Sequence, residues 1–413
     1  MEKQEFYKNA RADSRGPLEG IKVLEATNFG AGPICGMVMV DLGATSIKCE
    51  MPGVGDPVRQ MFPYLEDDRV EGSVWYQTFN RGKQTITLDF RQPEGRDLFK
   101  RLAQEADVVV ENFTPGTMAK WGLGYEDIAA VKPDIVYVSI SGFGQFGSLS
   151  TKKGFDPIAQ AMAGMMHCTG EKDGPPLRAG PAIADNMTGW HGAMGAMAAL
   201  LHRNRTGEGQ HVETSLTDTI LYTTDCGIMG EANCNYHQTR NGSTIDSGAP
   251  FNTFLSKDGH YIFINAAYNA HWVRLCELMN RPDLITDPRT SEYSARGDNR
   301  ELVNEAVAAW ATTQTVDEAM RQLDEKEVTA GPVLDFRQIL DLPHYRERDA
   351  IVEIEHPKFG HLTHYGVPTK YSRTPAQPKG YSPLKGEHND LIYRGHLHLS
   401  EAQVAELKQK KVI

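Results

Sequence analysis

The sequence lacks a run of about 18 apolar residues, the length a membrane-spanning helix requires, so no span is expected. It lacks paired cysteines: Cys35, Cys49, Cys168, Cys226, Cys234 and Cys276 are scattered without a C-x-x-C, and no disulfide framework or zinc ribbon is implied. An excess of positive charge is missing too. The net charge of −11 argues against a nucleic-acid partner, and an anionic ligand would need a local cluster of donors. Neither a P-loop nor a G-x-S-x-G elbow is present, so nucleotide-kinase and hydrolase readings lack their signatures. The opening MEKQEFYKNARADSRG has no apolar secretion core, so a cytoplasmic location is expected and the sequons at Asn112, Asn186 and Asn241 carry no meaning.

What is there reads as an ordinary globular chain of 413 residues, 40% hydrophobic and 23% charged, long enough for a large domain and a smaller one. Strand-like runs at 21–25, 45–50, 85–90, 107–112 and 134–140 alternate with helical signals at 34–42 and 94–105. That alternation predicts an α/β fold with a doubly wound parallel sheet. A long helix over 185–203 is rich in small residues, and its Gly189, Gly192 and Gly195 imply close approach of another backbone. A strand follows at 211–216. The expected organisation is a large domain over 1–224, a Gly/Asn/Ser-rich linker over 225–250, an inserted α+β domain over 251–335 with a hairpin at Lys257-Asp258-Gly259, and a return to the large domain over 336–413.

Four groups of residues invite a chemical reading. Gly30, Gly32 and Gly36, with Glu50 ending the next strand, resemble a dinucleotide fingerprint, but the spacing is G-x-G-x-x-x-G and the loop before Gly30 is too long. His356, His361 and His364, and the pair His396 and His398, fit no zinc spacing, and no metal is expected. Lys83, in NRGKQTITLD, reads by itself as a solvated loop lysine. Asp185, at the start of the glycine-rich helix, reads as an N-cap. The same helix-end donors would keep its carboxylate ionised, and an ionised carboxylate can attack a thioester.

Several blocks, taken together and in order, cover nearly the whole chain: PLEGIKVLEATNFGAGP, DLGATSIKCEMPGVGDPVR, FNRGKQTITLDF, the run ending DVVVENFTPGTMAKWGLGYE, VSISGFGQFG and GPAIADNMTGWHGAMGAMAALLHRNRTGEGQHVETSLTD. These resemble the class III coenzyme A transferases, the family of formyl-CoA transferase and carnitine CoA-transferase. The resemblance implies an interlocked dimer, or a heteromer with a paralogous subunit. It makes Asp185 the nucleophile. Asn28, Phe29, Gly30 and Ala31 fall on the loop that touches CoA, Lys83 and Lys120 on basic CoA-binding positions, and Gly142 and Phe143 near the thioester.

The implied reaction needs no permanent cofactor. Asp185 attacks the donor acyl-CoA and gives a mixed anhydride and CoA thiolate. The thiolate then makes an aspartyl-CoA thioester, and the acceptor acid collects the CoA. Acyl-CoA and a carboxylic acid are the partners, with succinyl-CoA the expected donor. Departures from formyl-CoA transferase point away from formate and oxalate: Gly30 replaces a glutamine, an arginine near Pro52 is missing, Ser141 and Phe143 replace a lysine and a tyrosine, and NGSTIDSGAP replaces a long glycine-rich loop. The rival is an acyl-CoA racemase of the same fold, which needs a histidine in a Gly-His-Asp triplet. This chain reads Gly154-Phe155-Asp156, and phenylalanine moves no proton.

Overall fold

The computed structural model describes residues 1–413. Six strands form one wholly parallel sheet: β1 (Lys22–Ala26), β2 (Thr45–Glu50), β3 (Gln84–Thr87), β4 (Val108–Glu111), β5 (Val136–Ser141) and β6 (Gln210–Ser215). Their order is β3-β2-β1-β4-β5-β6, the order of the doubly wound dinucleotide-binding fold. The near-continuous apolar runs follow from it, since strands covered on both faces have no polar side. All four residues of β4 and all six of β5 are buried.

Each face has its own core. On one, Phe99 and Leu102 of the helix Pro93–Glu105 pack with Ile86, Val109 and Tyr137 of the sheet, and the chain's end returns to close it with Tyr393, Val404 and Ile413. The other joins Cys35 and Met39 of the helix Ala31–Asp41 to Ala193, Ala196 and Ala199 of the helix Ile183–Thr206, over Val110, Val138 and Ile140. The small residues foreseen in that long helix let the two helices meet. A Cβ on Gly189 would lie 2.8 Å from the backbone oxygen of Ala31 and nearer still to Ile34. The Ala31–Asp41 helix begins two residues before Pro33, because Gly30 rather than Pro33 marks its entry.

The chain divides into two compact units. Residues 1–166, 178–235 and 344–413 make the first, and 167–177 with 236–343 the second. The second has a three-stranded antiparallel sheet of β7 (Phe251–Leu255), β8 (Tyr261–Asn265) and β9 (Ala330–Pro332), with the foreseen hairpin between β7 and β8. Its core gathers Trp272, Leu275, Val303, Val307 and Leu323. The stretch read as a linker is divided: a helix, Gly227–Cys234, belongs to the first unit, and 236–250 to the second. No helix is long and apolar enough to cross a membrane.

Candidate active site

In an open parallel sheet the ligand crevice lies beyond the carboxyl ends of the strands, where the strand order reverses. Here that point falls between β1 and β4. The loops leaving these strands are tied together there. Asn28 N–H donates to Asn112 Oδ1 at 2.8 Å, and Asn112 Nδ2 donates to Asn28 O at 2.7 Å. Phe29 holds a left-handed backbone (φ 60°), unusual for a bulky side chain. Its N–H donates to Asp56 Oδ1 at 3.1 Å, and Asp56 is held in turn by the buried Lys48 at 2.7 Å. Gly30 follows as the N-cap of the Ala31–Asp41 helix, and Ala31 opens that helix, buried.

This loop delivers Gly30 to Asp185. A Cβ built on Gly30 would lie 2.5 Å from Asp185 Oδ2, so only glycine leaves the carboxylate its position. Asp185 is not a cap: the helix Ile183–Thr206 has Ala182 at its N-cap and Asp185 in its first turn. The capping is done by Asp156, whose Oδ2 accepts from the N–H groups of Ala184 (2.7 Å) and Asp185 (3.2 Å). Gln160 Nε2 donates to the other oxygen of Asp156 at 2.7 Å, and Gln160 Oε1 accepts from Ala179 N–H, fastening the approach to the helix.

The expectation that helix-end donors keep Asp185 ionised is therefore corrected. Asp156 occupies those donors. Burial, and secondly the charge of Asp156, push the Asp185 carboxyl up to about 7, with no cation or hydrogen bond countering them. Near neutral pH the group is divided between acid and carboxylate, and its carboxylate is far more basic than an ordinary aspartate.

Gly142 and Phe143, at the end of β5, join the site from the other side. A Cβ on Gly142 would lie 2.8 Å from Gly154 Cα, and one on Gly154 would lie 3.0 Å from the Phe143 ring. The β5 loop thus presses on the Gly154-Phe155-Asp156 segment that carries the cap. Phe155 meets Phe29 edge to face, ring centroids 5.8 Å apart.

Lys83 is elsewhere, and its expected contact with CoA phosphates is corrected. Its side chain is fully buried, and Nζ donates to Glu25 Oε2 (2.9 Å), Pro33 O (2.7 Å) and Asn80 Oδ1 (3.1 Å). An ammonium has three N–H donors, and all three are used. Lys120 ends the short helix Thr117–Lys120, exposed, on the wall of a concave site of about 480 Å3 that it shares with Arg96, Lys100 and Trp121. The fingerprint reading fails on Glu50, which is buried and held by Arg59 at 2.8 and 2.7 Å and by Tyr76 at 3.0 Å, leaving nothing for a ribose. The clustered histidines also separate: His356 bonds Ser382 O, His361 pairs with Glu355, and His364 meets Arg81 and Gln77 O.

Sequence reading missed Asn112, Asp156 and Gln160. Asn112 stood inside the ENF motif but was weighed only as a sequon. Its role follows once β4 is known to lie beside β1. Asp156 was read only as the end of a triplet that lacks histidine.

Fold and site set a half-buried carboxylate, Asp185, at the carboxyl ends of a wholly parallel sheet. A family model described as CoA-transferase family III matches residues 18–389, and the chain belongs to that family and is a class III CoA-transferase. It is 36% identical to the succinyl-CoA–D-citramalate CoA-transferase of Chloroflexus aurantiacus, over 96% of this chain and 98% of that one. With the succinyl-CoA:mesaconate CoA-transferase of Haloarcula hispanica it shares 38% identity over 90% and 94%, and with the formyl-CoA:oxalate CoA-transferase of Rhodopseudomonas palustris 33% over 94% and 96%. Among solved structures, a CAIB/BAIF family protein from Brucella suis matches with a TM-score of 0.84 and 32% identity, covering 92% of this chain and 99% of that one.

Proposed function

We propose that this CoA-transferase takes CoA from succinyl-CoA and passes it to a free carboxylic acid through an aspartyl-CoA thioester on Asp185. The observation that carries the mechanism is a half-buried carboxylate at the switch point, approached closely by Gly30 and raised to about 7. Asp185 Oδ attacks the thioester carbonyl carbon, a C–O bond forms, the C–S bond breaks and CoA leaves as thiolate. The thiolate attacks Asp185 Cγ, a C–S bond forms and the donor acid departs as carboxylate. The acceptor carboxylate repeats the first step on the aspartyl thioester, and the returning thiolate frees Asp185. The entry turn of the Ala31–Asp41 helix, at Gly30, supplies backbone N–H groups suited to the developing oxyanions.

The donor rests on the relatives, whose names join succinyl-CoA to dicarboxylic acids. We place the phosphates of CoA in the basic depression of Arg96, Lys100 and Lys120, and the thioester beside Asn28–Ala31, Gly142 and Phe143. The racemase reading needs a proton carrier beside Asp156, and the Phe155 ring there packs on Phe29 instead. Six free thiols fit the reducing cytoplasm. Exposed Trp190, Met194, Leu201 and Tyr222 fit a homodimer, or a heteromer with a paralogue, and light scattering on the purified chain reads the stoichiometry.

The test is an assay of CoA movement from succinyl-CoA to a panel of mono- and dicarboxylic acids, read by chromatography of the acyl-CoA products. Wild type is expected to make a new acyl-CoA, and Asp185→Ala none while still folding and binding CoA. Wild-type turnover in that variant would end the covalent reading.

A further inference from the structure

The helix that carries Asp185 also carries a buried hydroxyl with nothing to bond. Thr188 is 0% exposed, and its Oγ1 has no hydrogen-bond partner. A helical threonine ordinarily relieves this by bonding back to the carbonyl four residues earlier, here Ala184, and Thr188 does not. An orphaned buried hydroxyl is a standing cost to the fold, and valine would fill the same volume without it.

Its position says what it could bond. Thr188 follows Asp185 by three residues in one helix, so the two side chains share a face about 5–6 Å apart at Cβ. Helical side chains lean toward the N-terminus, which aims Thr188 over the turn bearing Asp185. Gly30 closes the opposite side of that carboxylate, and Gly189, next to Thr188, lies against Ala31 and Ile34. The hydroxyl is thus buried one turn beyond Asp185, on the side away from the cap.

We propose that Thr188 is a catalytic residue, whose hydroxyl donates to the oxygen left on Asp185 Cγ when CoA thiolate attacks that carbon. The inference rests on the aspartyl-thioester reading above. In the resting enzyme the hydroxyl has no bond to lose, so the bond made in the tetrahedral intermediate lowers the barrier without stabilising the ground state.

The experiment incubates purified enzyme with succinyl-CoA and no acceptor, quenches over time, and follows the CoA adduct on the Asp185 peptide by mass spectrometry. Thermal melts and a CoA titration run alongside. Thr188→Val is expected to melt at or above the wild-type temperature, to bind CoA unchanged, and to form the adduct on the order of 10²-fold more slowly, the loss typical of one oxyanion donor. Thr188→Ser restores the rate to within a few-fold. A Thr188→Val enzyme forming adduct at the wild-type rate overturns the inference and leaves the aspartyl reading standing. So does one whose rate falls only as far as its melting temperature and CoA binding do. Absence of adduct on wild type defeats the aspartyl reading itself, and the role of Thr188 with it.

Discussion

Two carboxylates of the first unit, Glu25 fully buried and Asp185 half-buried, are treated oppositely. Glu25, on β1, has the Lys83 ammonium at 2.9 Å and hydroxyls of Thr27 (2.9 Å) and Ser46 (2.5 Å) around it. Its neighbours Lys48, Asp56, Glu50 and Arg59 form a run of matched pairs beside it, with Arg59 also over the Tyr76 ring at 3.5 Å. Asp185 has no cation acting on it, only the charge of another carboxylate, Asp156. A paired buried charge fixes the backbone around it, as Lys48 and Asp56 fix the strained Phe29. One set beside a like charge has its reactivity raised and its stability spent. Charge density alone does not mark the reactive group here, because the inert region holds more charge.

That contrast can be broken at either end. The largest effect expected is on folding. Lys83→Ala leaves Glu25 buried without its cation, a loss of about 3–5 kcal/mol in denaturant unfolding. CoA affinity, measured where the variant is folded, should not change, and a selective loss of CoA binding would return Lys83 to the ligand site. Gly30→Ala places a methyl against Asp185 Oδ2, and transfer should fall by about 10²-fold with little change in melting temperature.

Asp185→Asn should stabilise the enzyme, and the sign follows from the raised carboxyl. A group whose folded pKa lies above its unfolded value loses stability as pH climbs through the folded value, about 7 here. Asparagine has no charge to bury, so its advantage over wild type should be about 1–3 kcal/mol at pH 8 and vanish toward pH 4. An advantage over wild type that is the same at both pH values would mean that Asp185 is not strained by burial. The smallest effect is on a midpoint. Asp156→Asn keeps an acceptor for the helix N–H groups but removes the like charge. Repulsion then no longer disfavours the Asp185 carboxylate, and the midpoint of its pH-rate profile should move to lower pH.

The fold was legible where period and length agree. Buried runs such as DVVVEN and DIVYVSI and the glycines of 189–195 gave the parallel sheet and the close helix pair. The order of strands was not, because which strand lies beside β1 depends on pairing across more than eighty residues. Asn112 was lost for that reason. Asp185 stood out only through the family motif, since by local pattern it looks like a cap, and its cap lies 29 residues earlier in the chain. Lys83 misled in the opposite sense. A lysine in NRGKQ looks solvated until β3 carries it beneath the Ala31–Asp41 helix, within reach of Glu25, 58 residues away. Thr188 gives no sequence signal, because an unpartnered hydroxyl is visible only once everything around it is placed.

The most direct measurement is the pH dependence of a covalent adduct. Wild-type enzyme is incubated with succinyl-CoA between pH 5 and 9 without acceptor, reduced with borohydride, digested and sequenced by mass spectrometry. A modified Asp185, forming faster as pH rises to a plateau with its midpoint near 7, is the expected result. Modification of another residue, or a midpoint near 4, would contradict the claim that a half-buried Asp185 beside a like charge is the nucleophile.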